Sequence, residues 1–126
     1  VPAMIRKFYE AKNGDEVEVW GTGKPLRQQL HVDDLANIIP ILLEKHHSEI
    51  PLIVAPHENL SIESMVSTIK KKSGKKCEVV YNNKLDGQFR KDGSNRRLIS
   101  LIGDYQFIEF KNGLEQTYDW YSNSRS

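Results

Sequence analysis

The sequence predicts an α/β fold. Three observations carry that prediction: apolar residues recur at helical spacing along several stretches, short strand-like runs lie between them, and turn chemistry separates the two. No internal repeat or low-complexity tract interrupts the pattern.

The elements follow in order. Val1, Met4, Ile5, Phe8 and Ala11 share a helical face, and "KNGD" is expected to end that helix at Gly14. "EVEVW" alternates as a half-buried strand does, "GTGKP" is a turn, and "RQQLHV" is a second short extended piece. Asp33 or Asp34 is expected to cap a helix whose stripe is Leu35, Ile38, Ile39, Leu42 and Leu43, with Pro40 kinking or dividing it. "PLIVAP" reads as a buried parallel strand. Ser61 caps a helix facing inward through Ile62, Met65, Val66 and Ile69, which closes on "KKKSG". "CEVVY" is a strand, "NNKLDGQFRKDGS" a long polar loop, and Ser94 opens a short helix through Leu98, Ile99 and Ile102. "YQFIEF" is a strand or extended lead-in. "KNGLEQTYDWYSN" forms the last helix, with Leu114, Thr117, Tyr118 and Tyr121 on one face and "SNSRS" frayed.

The chain has 126 residues, one domain's worth or a piece of a larger one. Its 18 basic and 17 acidic residues leave a net charge of +1, so no bulk field points to nucleic acid or a membrane. The apolar runs are too short to span a bilayer. A lone cysteine, Cys77, excludes an internal disulfide and fits a reducing compartment, the cytoplasm. A helix that starts at Val1, with Pro2 but no cap before it, reads as the C-terminal part of a longer protein. The 35–43 helix and "LIVA" are apolar enough to need cover from a further domain.

Trp20 closes a strand beside Gly21 and Gly23. It is either a core or edge aromatic, or a flat platform for a nucleotide base. Arg27 is either solvated or a fork for a phosphate or diphosphate. In "LDGQFRK", Asp86 can accept hydrogen bonds from hydroxyls or a base edge, and Lys91 can neutralise phosphate; the bland alternative is a charged surface loop. "GTGKP" lacks phosphate-loop spacing. "HVDD" suits capping and local hydrogen bonds better than a metal. The Lys70, Lys71, Lys72, Lys75 and Lys76 run reads as a solvated helix end, and His57 has no partner that the sequence names. No nucleophile–base pair can be assembled; the chain is read as one that holds rather than catalyses.

"VPAMIRKFYEAK", "VWGTGKPLRQQLHVDDLA", "SIESM", "LDGQFRK" and "GLEQTYDWY", in this order, resemble the C-terminal part of the GDP-L-fucose synthase family, extended short-chain dehydrogenases/reductases. The resemblance covers nearly the whole chain. It implies a small C-terminal substrate-binding domain, with the NADPH-binding Rossmann domain missing and parts of 32–56 packed against it. It places substrate contacts on Lys7, Trp20, Arg27, Asp86 and Lys91. In that family the Ser, Tyr and Lys of the reductase site and the epimerisation cysteine lie in the N-terminal domain, so Cys77 is not that cysteine. The acid/base histidine falls just before Val1. The intact enzyme implied is a homodimer that converts GDP-4-keto-6-deoxy-D-mannose to GDP-L-fucose. Two departures are "LIVAPHENLSI" where many members have "NVGTG", and Leu85 in place of a common proline. The alternatives are the substrate domain of a relative acting on a UDP- or dTDP-sugar, or a stand-alone nucleotide-binding or interaction module.

Overall fold

Ten short elements follow one another in the computed structural model, which describes residues 1–84 and 86–125. In chain order they are α1 (Pro2–Glu10), β1 (Glu16–Val19), β2 (Leu26–Arg27), α2 (Val32–Lys45), β3 (Leu60–Ser61), α3 (Ile62–Ser73), β4 (Glu78–Tyr81), β5 (Arg90–Lys91), α4 (Arg96–Ile102) and α5 (Phe110–Arg125). The α/β reading therefore holds. β1 and β4 form one parallel pair, and a three-stranded sheet has the order β3-β2-β5. Ile5 and Phe8 of α1, Val17 and Val19 of β1, Val66 and Ile69 of α3, and Leu114 and Tyr118 of α5 meet in one buried cluster. Among the described residues no helix is long and apolar enough to cross a membrane.

α1 stops earlier than its pattern suggests. It ends at an extended Ala11, and Gly14 instead turns the chain into β1 with φ of +91°. Its last carbonyls are met from elsewhere: Lys75 Nζ donates to the carbonyls of Tyr9 at 3.2 Å and Ala11 at 2.7 Å. That satisfies groups a helix end leaves orphaned. Lys75 is thus a cap, and Lys72 pairs with Asp119 at 2.9 Å; only part of the lysine run is a solvated end.

α3 is bounded as its sequence dictates. Ser61 Oγ accepts from the Ser64 N–H at 3.1 Å, and Gly74 closes the helix at φ +67°. Ser61→Ala is expected to cost about 1 kcal/mol, read as a lower urea midpoint with unchanged slope.

α2 corrects the expected cap. His31, not Asp33 or Asp34, is the N-cap, its Nδ1 accepting from the Asp33 N–H at 3.1 Å. Asp34 is drawn inward instead, only 2% exposed, and accepts from Tyr105 Oη and the Ile108 N–H, both at 2.9 Å. Burial, reinforced by Asp34, pushes the Tyr105 phenol above its ordinary value. The helix runs through Pro40 unbroken to Lys45. Of its apolar stripe only Ile38 is buried; Val32, Leu35, Ile39 and Leu43 are exposed.

"PLIVAP" is not a strand. Its prolines lack N–H donors, and among the described residues no strand pairs with it. Side chains take its carbonyls: Arg97 meets that of Pro51 at 3.3 Å, Asn95 that of Ala55 at 3.0 Å, and Gln28 that of Pro56 at 2.9 Å. "YQFIEF" is likewise strand-free, and its last residue, Phe110, opens α5. α4 has Asn95 at its cap rather than Ser94. The helical part of "SNSRS" reaches Arg125; Ser126 lies outside the described residues, as does Leu85 with the proline departure noted for it.

Candidate functional site

Two segments of the chain travel as companions, and that places the site. β1 and β4 run parallel, ending with Val19 opposite Tyr81. Both then leave the sheet, one through 20–25 and the other through the described residues of 82–89. They rejoin as β2 and β5, again parallel, with Leu26 opposite Arg90 and Arg27 opposite Lys91. Residues far apart in sequence are thereby carried side by side from one sheet to the next.

The turn after β1 is held from the companion loop. The Gly21 N–H donates to Asn82 Oδ1 at 3.0 Å. Thr22 donates twice to Asp86, through its N–H at 2.7 Å and its hydroxyl at 2.8 Å. Gly21 has φ of +86°, and the Asp86 carboxylate occupies the place where a Cβ would stand, so glycine is required there. Both Asp86 oxygens are thus already engaged by the turn, although the sequence reading aimed them at a ligand.

Trp20, the first residue of that turn, is 67% exposed. A residue the sequence reading did not single out, Lys84, places Nζ 4.7 Å from the centroid of its ring. Lys7 reaches the same strand from α1, donating from Nζ to the Glu18 carbonyl at 2.8 Å. Its remaining ammonium hydrogens are left for a further acceptor.

Arg27 and Lys91 form the second part of the site. Residues opposite each other in a ladder stand on one face, with the strands about 4.8 Å apart. Two cations are therefore neighbours. Arg27 Nη1 bonds only the carbonyl of Leu26, at 2.7 Å, and among the described residues neither cation meets a carboxylate. The adjacent Asp92 is occupied by Arg90 at 3.0 Å. Arg27 and Lys91 line one cleft with Val54, Pro56, Gly93 and that same Asp92. Gln28 ties its walls, accepting from the Gly93 N–H at 2.9 Å and donating to the Pro56 carbonyl at 2.9 Å. An uncompensated pair of cations favours an anion there.

The structure thus gathers Trp20, Asp86, Arg27 and Lys91 along the paired segments, with Lys7 at the β1 end. Lys84, Thr22, Asn82 and Gln28 were not legible as site residues. Their roles depend on cross-chain contacts that no local pattern encodes. Cys77 is buried with Sγ 3.6 Å from the Lys12 carbonyl. His57 finds partners in Asn95, at 3.0 Å, and the edge of Phe107. Among the described residues no group of three or more His, Cys, Asp or Glu side chains could hold a metal ion.

Known proteins share both sequence and fold. Residues 1–54 match the NAD dependent epimerase/dehydratase family. A putative GDP-L-fucose synthase 2 of Arabidopsis thaliana is 40% identical over 124 residues, covering 96% of this chain and 38% of the relative. GDP-L-fucose synthase of Escherichia coli (strain K12) is 37% identical over 137 residues, covering 96% and 41%. The chain therefore spans about two fifths of the length of these relatives. A crystal structure of a GDP-L-fucose synthetase from Naegleria fowleri bound to NADP superposes with a TM-score of 0.92 at 30% identity, covering 98% of this chain and 40% of that one.

Proposed function

We propose that the chain, similar along nearly its whole length to GDP-L-fucose synthases, is the C-terminal part of such an extended short-chain dehydrogenase/reductase and holds its GDP-sugar substrate. The observation that carries this is the Arg27–Lys91 pair, two cations in register on neighbouring strands and facing one cleft, whose one lining carboxylate among the described residues, Asp92, is paired with Arg90 instead. A diphosphate would supply the missing charge in two places, with the guanidinium as the fork. Trp20 offers its exposed indole to the base. Lys7, held at the Glu18 carbonyl of β1, would offer its free ammonium hydrogens to the ligand, and Asp86 completes the site by fixing the turn.

The intact enzyme, a cytoplasmic homodimer in this reading, would carry out NADPH-dependent 3,5-epimerisation and 4-keto reduction of GDP-4-keto-6-deoxy-D-mannose to GDP-L-fucose. The residues of this chain do not fit NADPH themselves. The Gly21–Gly23 turn runs into β2 rather than onto a helix N-terminus, so it lacks the arrangement that cradles dinucleotide phosphates. No hydride-transfer step is assigned to these residues. The cofactor and the reacting groups are placed on an N-terminal Rossmann domain, against which the exposed Val32, Leu35, Ile39, Leu43 and Ile53 would pack.

Titration of the intact protein with GDP, UDP and ADP, followed by tryptophan emission, tests this. Saturable quenching that prefers GDP and disappears in Trp20→Phe is expected, the variant separating Trp20 from the exposed Trp120. A preference for UDP would move the assignment to another sugar-nucleotide branch, and no response to any nucleotide would contradict it.

A further inference from the structure

Lys84 differs from the other lysines near the site in what it touches. Lys24 faces Glu63, Lys72 faces Asp119, and Lys7 and Lys75 each bond backbone carbonyls. Lys84 Nζ meets the Trp20 ring alone, and no carboxylate among the described residues reaches it. An exposed cation over an indole is a weak, exchangeable contact, so the ammonium is available to an acceptor that arrives on the ring.

Its placement is built rather than accidental. The Lys84 N–H donates to Asn82 Oδ1 at 3.0 Å, and the same oxygen accepts from the Gly21 N–H at 3.0 Å. The Asn82 N–H donates to the Val19 carbonyl at 3.1 Å, and the Asn83 N–H to that of Gly21 at 3.3 Å. Asn83 adopts φ of +56°, a left-handed conformation that asparagine tolerates better than most residues. Residues 82–84 are therefore stitched to the very turn that carries Trp20. Asp86, bonded to Thr22, fastens the same two segments a second time.

We infer that Lys84 is a specificity-determining residue of the nucleotide site: its ammonium reads the O6 and N7 acceptor edge of a guanine stacked on Trp20. This rests on the reading that the chain holds a GDP-sugar. Guanine presents two acceptors along that edge, whereas adenine replaces O6 with an amino donor and leaves only N7. A cation beside the platform thus discriminates between the two purines. The diphosphate has its own cations, Arg27 and Lys91, beyond the turn on the second sheet. Lys84 stands at the base end.

Calorimetric titration of the intact protein with GDP, IDP and ADP tests the inference, using the parent, Lys84→Met, Lys84→Arg and Arg27→Gln. IDP keeps O6 and N7 and lacks only the 2-amino group. Lys84→Met is expected to weaken GDP and IDP about tenfold and ADP, which offers only N7, no more than about twofold, so the GDP-to-ADP preference falls about fivefold. Lys84→Arg is expected to keep the preference. Equal losses for all three nucleotides would show an ammonium acting on phosphate and overturn the inference, as would unchanged GDP affinity. In either case a general loss in Arg27→Gln leaves the substrate-site reading standing. A parent that binds no nucleotide overturns both. Lys84 is exposed, is hydrogen-bonded within the paired loops through its backbone, and its side chain adds only the weak ring contact, so nearly unchanged melting is expected for both Lys84 variants.

Discussion

Arg27→Ala lowers the affinity of the intact protein for GDP roughly 100-fold, the largest loss expected from any single substitution in the cleft. Two charge-assisted hydrogen bonds to a diphosphate are worth about 1.5 kcal/mol each, and every 1.4 kcal/mol is about tenfold. The fold does not depend on this side chain in the same way. Among the described residues it bonds the carbonyl of the preceding residue, and its removal relieves repulsion from Lys91. Melting is therefore expected to stay close to the parent's. Arg27→Lys should recover only part of the affinity, because an ammonium keeps the charge but loses the planar fork. Calorimetry measures all three proteins. GDP affinity unchanged in Arg27→Ala would sink the diphosphate assignment.

Asp34→Ala gives the largest expected loss of stability, about 2–3 kcal/mol, because it leaves the Tyr105 hydroxyl and the Ile108 N–H without their acceptor. For a domain of this size that corresponds to a fall in melting temperature of roughly 10 °C. The carboxylate is 2% exposed, so water cannot take its place without the local structure opening. What it holds is the 103–109 segment against the start of α2. Asp34→Asn keeps one acceptor oxygen but aims an amide donor where an acceptor is needed, so about half the loss should remain. Scanning calorimetry decides, and an Asp34→Ala protein that melts with its parent would remove this role.

The sequence pattern was most legible where a rule is local. The Ser61 cap, the alternation of β1 and the face of α3 all act through neighbours a few residues away and are found where they were read. So are Ile5 and Phe8 of α1 and Leu114 and Tyr118 of α5, whereas Val1 and Thr117 are exposed. Patterns that depend on distant partners were misread. Asp34 has the composition of a cap, but Tyr105 and the 108 backbone draw it inward and leave capping to His31. "PLIVAP" has a buried strand's composition, yet a strand needs another strand beside it. Lys75 looked like one more solvated lysine because the carbonyls it caps belong to α1, more than sixty residues upstream.

The site shows the same division. Trp20 and Arg27 could be singled out because they flank a glycine-rich turn, and Asp86 and Lys91 because they sit in one charged loop. That Arg27 and Lys91 would stand in register was not readable, since β2 and β5 are only two residues long and carry no strand signature. The parallel pairs β1–β4 and β2–β5 bring the two stretches side by side. This pairing also explains why Thr22, Asn82 and Lys84 matter without any motif of their own.

A crystal structure of the intact protein with GDP bound tests the substrate-site reading most directly. A diphosphate lying between the Arg27 guanidinium and the Lys91 ammonium, with guanine against Trp20, is the expected result. GDP seated elsewhere, with the Arg27–Lys91 cleft holding only solvent, would contradict it.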